Sequence, residues 1–301
     1  MGAADLVPGV SGGTIALITG VYKELLDSIN KFSWQEIKLI KNEGFTDVWR
    51  KLNGAFLLCL FSGIISSILL LSRILEWLII NEPIGLWSFF LGLLIASIFF
   101  LIKKELKYNL KSLFYLSIGC LVSYLITQLS SAPNEAPIWY IFIAGFIGIS
   151  AMILPGLSGA YILFVMGVYQ KILSNVRQAQ DLIFSFNQEQ FIQVTSILSV
   201  FILGIFVGIK VFTRLLSWFL SRYHEETFSF LIGLMIGALG KVWPWQNNLI
   251  KLGEDVPNSN TPVLPQNFDG SSPEVEKALT FMVLGFVLLF VVEQSKFLFK
   301  K

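Results

Sequence analysis

Pro8-Gly9-Val10-Ser11-Gly12 and Pro155-Gly156-Leu157-Ser158-Gly159 are the residues best suited to chemistry in this chain. Proline removes a backbone donor and glycine loosens the helix, so each string should break a helix. The half-helix that follows begins with N–H groups that have no partner of their own, at the positive end of a helix dipole. Gly12, Gly13 and Gly159 let a ligand come close to the backbone, and Ser11, Thr14 and Ser158 add hydroxyls. Such an end is suited to a phosphate or carboxylate. The competing reading is that small residues only permit tight helix packing.

The strings are copies. Residues 8–26 and 155–173, offset by 147, share nine of nineteen positions. A duplicated break inside apolar sequence is the pattern of a transporter site built from two discontinuous segments. Arg73 and Arg214 hold equivalent places at an offset of 141, each at the end of an expected crossing. A guanidinium there could bind an anion through two parallel hydrogen bonds, or simply reach for the interface. Asp5 precedes the first break. A carboxylate at membrane depth costs roughly 2.5–3.5 kcal/mol and is a candidate for a coupling proton or sodium ion. Glu82, His224 and Glu225 sit at the starts of two equivalent helices, where acids are favoured in any case.

These residues need a membrane scaffold to position them. The chain has 301 residues, 54% hydrophobic and only 14% charged, which is more apolar surface than a soluble domain can bury. The expected class is an all-α polytopic membrane protein. Six crossings are expected at 53–72, 84–102, 112–129, 190–209, 228–245 and 278–292. Residues 136–170 carry no charge over a length that suits a re-entrant hairpin better than one helix or two.

The repeat continues past the motif, since Ser88, Phe89, Gly92 and Leu93 match Ser229, Phe230, Gly233 and Leu234 at the offset of 141. Two units follow. Residues 1–135 form one half, with a hairpin shortened at its N-terminus. Residues 136–301 form the other, with a polar external loop at about 246–272. One hairpin plus three crossings per half is an odd number, so the halves should be inverted. With the 23–53 loop and the C-terminus cytoplasmic, only Arg73, Lys171, Arg177, Lys241, Lys251 and Lys277 of the 22 basic residues lie outside. That agrees with the positive-inside rule.

Other classes are disfavoured. A net charge of +2 with no basic stripe does not suit nucleic acid, and one histidine excludes a multi-histidine metal site. Cys59 and Cys120 have no metal-ligand spacing. The first residues carry Asp5 rather than the basic start of a cleavable signal peptide. No catalytic residue, metal or organic cofactor is expected. Scattered acids argue against an intramembrane enzyme, while a transporter or channel for a small soluble anion stays open as the alternative.

The string GAADLVPGVSGGTIALITGVY resembles the signature of a bacterial inner-membrane family of polyprenyl-phosphate (undecaprenyl-phosphate) transporters, once a family of unknown function. The resemblance extends over essentially the whole chain. It implies a flippase for undecaprenyl phosphate, recycling the lipid carrier of peptidoglycan and other envelope glycans in the cytoplasmic membrane. Carried over by match, the signature falls on Asp5, Pro8, Gly9, Ser11, Gly12 and Gly13, and its echo on Pro155, Gly156, Ser158 and Gly159. The implied partner is a lipid phosphate, bound by its head between the two breaks.

Overall fold

A computed structural model describes residues 1–2, 11–31, 44–129, 137–182, 187–248, 260–270 and 272–298. Asp5, Pro8 and Gly9 lie outside the described residues, as does the side chain of Arg73 within its helix. Among the described residues, the regular structure is helical apart from one small antiparallel pair of strands.

In chain order the helices are α1 Gly12–Thr19, α2 Tyr22–Lys31, α3 Phe45–Lys51, α4 Gly54–Asn81, α5 Pro83–Glu105 and α6 Leu110–Gln128. They continue as α7 Ile138–Ile153, α8 Gly159–Val165, α9 Tyr169–Asp181, α10 Gln188–Arg222, α11 His224–Gly237 and α12 Val275–Leu298. Between α11 and α12 lie a 3-10 turn, Leu239–Val242, and strands β1 Gln246–Asn248 and β2 Asn260–Pro262. Among the described residues, four helices are long and apolar enough to cross a membrane, with stretches Gly54–Leu71, Pro83–Glu105, Leu110–Gln128 and Gln188–Arg222.

Each of the six expected stretches contains a helix, but only those at 53–72, 84–102, 112–129 and 190–209 fall on the four helices long and apolar enough to cross. α10 runs on to Arg222 because its polar end has a partner in α2. Thr213 and Ser217 are hydrogen-bonded to Asn30, and Lys210 donates to the carbonyl of Ile29. α11 stops at Gly237, well short of Trp245. Gly237, Gly240 and Pro244 follow one another there, and the chain folds into the 3-10 turn instead.

The packing is crossed between the halves. α5 lies along α12, and α6 lies along α11. Glu82, just before α5, is ion-paired with Lys277 in the first turn of α12. Lys107, just before α6, is ion-paired with Glu225 in the first turn of α11. Both pairs therefore run in the same direction along their length.

Glycines set both interfaces. A Cβ on Gly92 would collide with the carbonyl of Met282, and one on Gly285 with that of Phe89. Likewise Gly119 meets the carbonyl of Phe230, and Gly233 that of Leu116. Gly92 and Gly233 are repeat equivalents, and in both pairs each glycine faces the carbonyl three residues before its partner glycine. A third interface repeats the device, with Gly145 against Phe201 and Gly204 against Phe142 joining α7 to α10. Close backbone approach through small residues is how helices gain packing energy where lipid offers no hydrophobic drive.

The best-buried surface is where α5 meets α11 and α1. Leu91, Leu94, Leu231, Ile232, Leu234 and Met235 are fully enclosed there. By contrast Leu69, Leu70 and Phe206 stand on exposed apolar faces of α4 and α10, as expected of surfaces that meet lipid.

Candidate functional site

From Ser11 and Ser158 onward, the two copies of the motif adopt one local structure. Ser11 caps α1, its Oγ accepting from the N–H of Gly13 at 3.1 Å, and Ser158 caps α8, accepting from Tyr161 at 3.5 Å. Serine is a favoured residue at this position because it supplies one of the missing partners of the first turn. At the far ends, Gly20 and Gly167 take positive φ of 78° and 71°. Gly20 and Val21 donate to Leu17 and Ala16, and Gly167 and Val168 donate to Phe164 and Leu163. The same glycine-ended cap closes each half-helix, and Tyr22 and Tyr169 open the next. At eight and seven residues, α1 and α8 span only about 12 and 10 Å, far short of a bilayer.

The two copies also touch. Pro155 ends α7, leaving its last carbonyls without helical donors. The first copy supplies the donors. The Ser11 hydroxyl lies 3.3 Å from the carbonyl of Met152 and 3.2 Å from that of Leu154. Tyr22 donates to the carbonyl of Ile153 between them, at 2.9 Å. In return the N–H of Gly156 donates to Thr14 Oγ1 at 3.1 Å. Ser11 and Thr14 are 2% and 1% exposed, so both hydroxyls are largely withdrawn from solvent. Gly156 itself has φ of 81° and packs its backbone on Leu234 and Met235 of α11.

A cavity of about 210 Å³ lies against this junction. Ser11, Ser158, Gly159 and Ala160 line it on one side, and Gly148, Met152, Phe201 and Ile205 on the other. Met152 and Tyr169 in its wall are 41% and 37% exposed, so it reaches the protein surface rather than being enclosed. Ser158 is half-buried, and among the described residues its hydroxyl proton has no acceptor, so it can be donated into the cavity. A larger apolar groove of about 370 Å³ follows along α10, lined by Phe191, Val194, Leu198 and Ile202 with Leu182 of the α9 end.

The other sequence candidates stand apart. Gly12, Gly13 and Thr14 are buried in the junction, and Gly159 lines the cavity. Arg214 is exposed on α10, nine residues beyond Ile205, which is roughly 13 Å of helical rise. The structure does not bring it to the cavity. Glu82 faces Lys277, Glu225 faces Lys107, and His224 lies 3.9 Å from Glu105, all at helix starts. Sequence reasoning missed Tyr22 as a structural donor. Its signal was present, since Tyr closes both copies at the same offset.

Comparison with known proteins adds the family. The model described as undecaprenyl phosphate translocase-like matches residues 1–257. A polyprenyl-phosphate transporter of Vibrio cholerae serotype O1 is 39% identical over 288 residues, covering 94% of this chain and 89% of that protein. A polyprenyl-phosphate transporter of Staphylococcus aureus is 29% identical over 256 residues, covering 81% and 83%. No solved structure matches the chain.

Proposed function

The chain belongs to the undecaprenyl phosphate translocase-like family, and from that membership we propose that it carries a polyprenyl phosphate, undecaprenyl phosphate in the first instance, across the bacterial cytoplasmic membrane. The observation that carries this reading is the open cavity where the two copies of the motif meet, with a separate apolar groove along α10. A lipid phosphate has one anionic head and a long apolar tail. The head is placed beside Ser158 and Gly159, where a hydroxyl and the start of α8 face the cavity. The tail lies against α10 and stays in the bilayer. A small soluble anion would have no use for so apolar a lining, which disfavours that alternative.

The two halves are read as inverted. α11 runs with α6, and α6 follows α5 after a short link at residues 106–109, so α5 and its repeat equivalent α11 point opposite ways. This supports two breaks entering from opposite faces. With the 23–53 loop and the C-terminus read as cytoplasmic from the positive-inside bias, β1 and β2 fall on the external side. Asp5 is kept as the candidate for a coupling proton or sodium ion. Glu82, His224 and Glu225 are better explained as ties between helix ends, because each faces a charged partner there.

Proteoliposomes test the reading. Undecaprenyl phosphate should cross between leaflets faster with the protein than without, and inorganic phosphate should not be carried. Equal lipid rates in the two preparations would refute it.

A further inference from the structure

The duplicated motif suggests two equivalent halves of one site, but the charge near them is not duplicated. Lys241 sits in the 3-10 turn after α11, with its ammonium 4.6 Å from the centre of the Tyr161 ring. Tyr161 belongs to α8, one turn from Ser158, whose Oγ accepts its backbone N–H. Its hydroxyl reaches the last carbonyls of α6, 3.0 Å from Thr127, 3.3 Å from Leu129 and 3.4 Å from Ile126. The ring is thus fixed between α6 and α8, and the lysine rests on it.

The turn that carries Lys241 is also braced. Gln246 donates to the carbonyls of Lys241 and Trp243, and Trp243 donates to that of Val263. Lys241 is half-buried, and among the described residues no carboxylate lies within ion-pair range of it. A cation partly withdrawn from water with no counter-charge is costly unless a ligand supplies one. An aromatic face answers only part of that need. The repeat offers no copy, since Thr14 stands at the position of Tyr161 and Phe100 at that of Lys241.

We propose that Lys241, held over Tyr161, is the cation that receives the phosphate of the lipid on the face of the protein that bears β1 and β2. This rests on the function proposed above and gives it a sidedness that the motif alone does not. A head leaving the Ser158 cavity toward that face meets an ammonium. A head leaving toward the other face meets no equivalent group at the matching position. Lys241 is a binding and positioning residue, with no bond made or broken.

Binding by the purified full chain tests this, comparing undecaprenyl phosphate with the neutral alcohol undecaprenol. Wild-type protein should prefer the phosphate. Lys241→Gln should lower phosphate affinity on the order of tenfold while leaving alcohol affinity unchanged. Lys241→Arg should retain most of the preference, and Tyr161→Phe, which keeps the ring, should retain it too. If Lys241→Gln keeps the full preference, or loses alcohol binding as well, Lys241 is not the receiving cation, although the transport reading stands. If the wild type itself shows no preference for the phosphate, both readings fall.

Discussion

Tyr22 donates its hydroxyl to the carbonyl of Ile153 at 2.9 Å, across 131 residues of sequence. That carbonyl belongs to the last residue of α7, which stops before Pro155 and so leaves it without a helical donor. Serving it is a task for the first copy of the motif, and Tyr22 is only 3% exposed. Tyr22→Phe should therefore leave a buried acceptor unpaired and lower stability by about 1–3 kcal/mol. Tyr169→Phe, at the half-exposed equivalent, should cost much less. Thermal unfolding of the two variants in one detergent checks the contrast; equal shifts would contradict it.

Ser11 and Ser158 occupy matching caps but have separate duties. Ser11→Ala removes the cap of α1 and the donor shared by Met152 and Leu154, so a loss of about 1–3 kcal/mol in stability is expected. Ser158 makes one long cap bond, and Ser158→Ala should cost only about 0.5 kcal/mol. Its effect should appear instead as several-fold weaker binding of undecaprenyl phosphate. Melting curves and lipid titration on the same two preparations separate the roles.

Gly156 and Gly20 both have positive φ, 81° and 78°, but differ in their surroundings. A Cβ on Gly156 would come within 2.8 Å of Met235 Cα, whereas Gly20 has open space. Gly20→Ala should cost about 1–2 kcal/mol from backbone strain alone. Gly156→Ala adds a backbone collision and should exceed that, with transport lost because the break can no longer seat against α11. Comparable behaviour of the two variants would show that the seat on α11 is unimportant.

Glycine at the helix crossings gives a further contrast. Gly119→Ala and Gly285→Ala each force a methyl into a facing carbonyl and should destabilise by about 1–3 kcal/mol. Gly63→Ala in α4 meets nothing within 4 Å and should be neutral or slightly stabilising. Unfolding in mixed detergent ranks the three variants, and a large loss for Gly63→Ala would reveal a neighbour that the fold does not show.

Much of this was legible before the fold was known. Apolar runs marked the four helices long and apolar enough to cross a membrane, because length and lack of charge are what a bilayer demands; the run at 228–245 overstated a helix of 14 residues. Pro155-Gly156 marked the break, because proline and glycine act locally. Ser11 and Ser158 were legible as polar groups at helix starts, but their use was not. Whether a serine donates to a ligand or to another segment depends on what lies opposite, and Met152 is 141 residues from Ser11. Arg214 was selected by its place in the repeat, and repeat position says nothing about which face of α10 it takes. Lys241 was counted only among the basic residues expected outside, since it is the early end of α11 at Gly237 that brings it over Tyr161. Asp5, Pro8 and Gly9 lie outside the described residues, so their part rests on sequence.

The crossed pairing of α5 with α12 and α6 with α11 has a consequence for biosynthesis. A ribosome delivers α5 and α6 long before the partner of either exists. Each must wait in the bilayer with its glycine face uncovered, α6 until α11 emerges and α5 until the final helix is made. Insertion and folding are thereby separated in time, and a nascent chain arrested before residue 275 would hold α5 with its longest interface still empty.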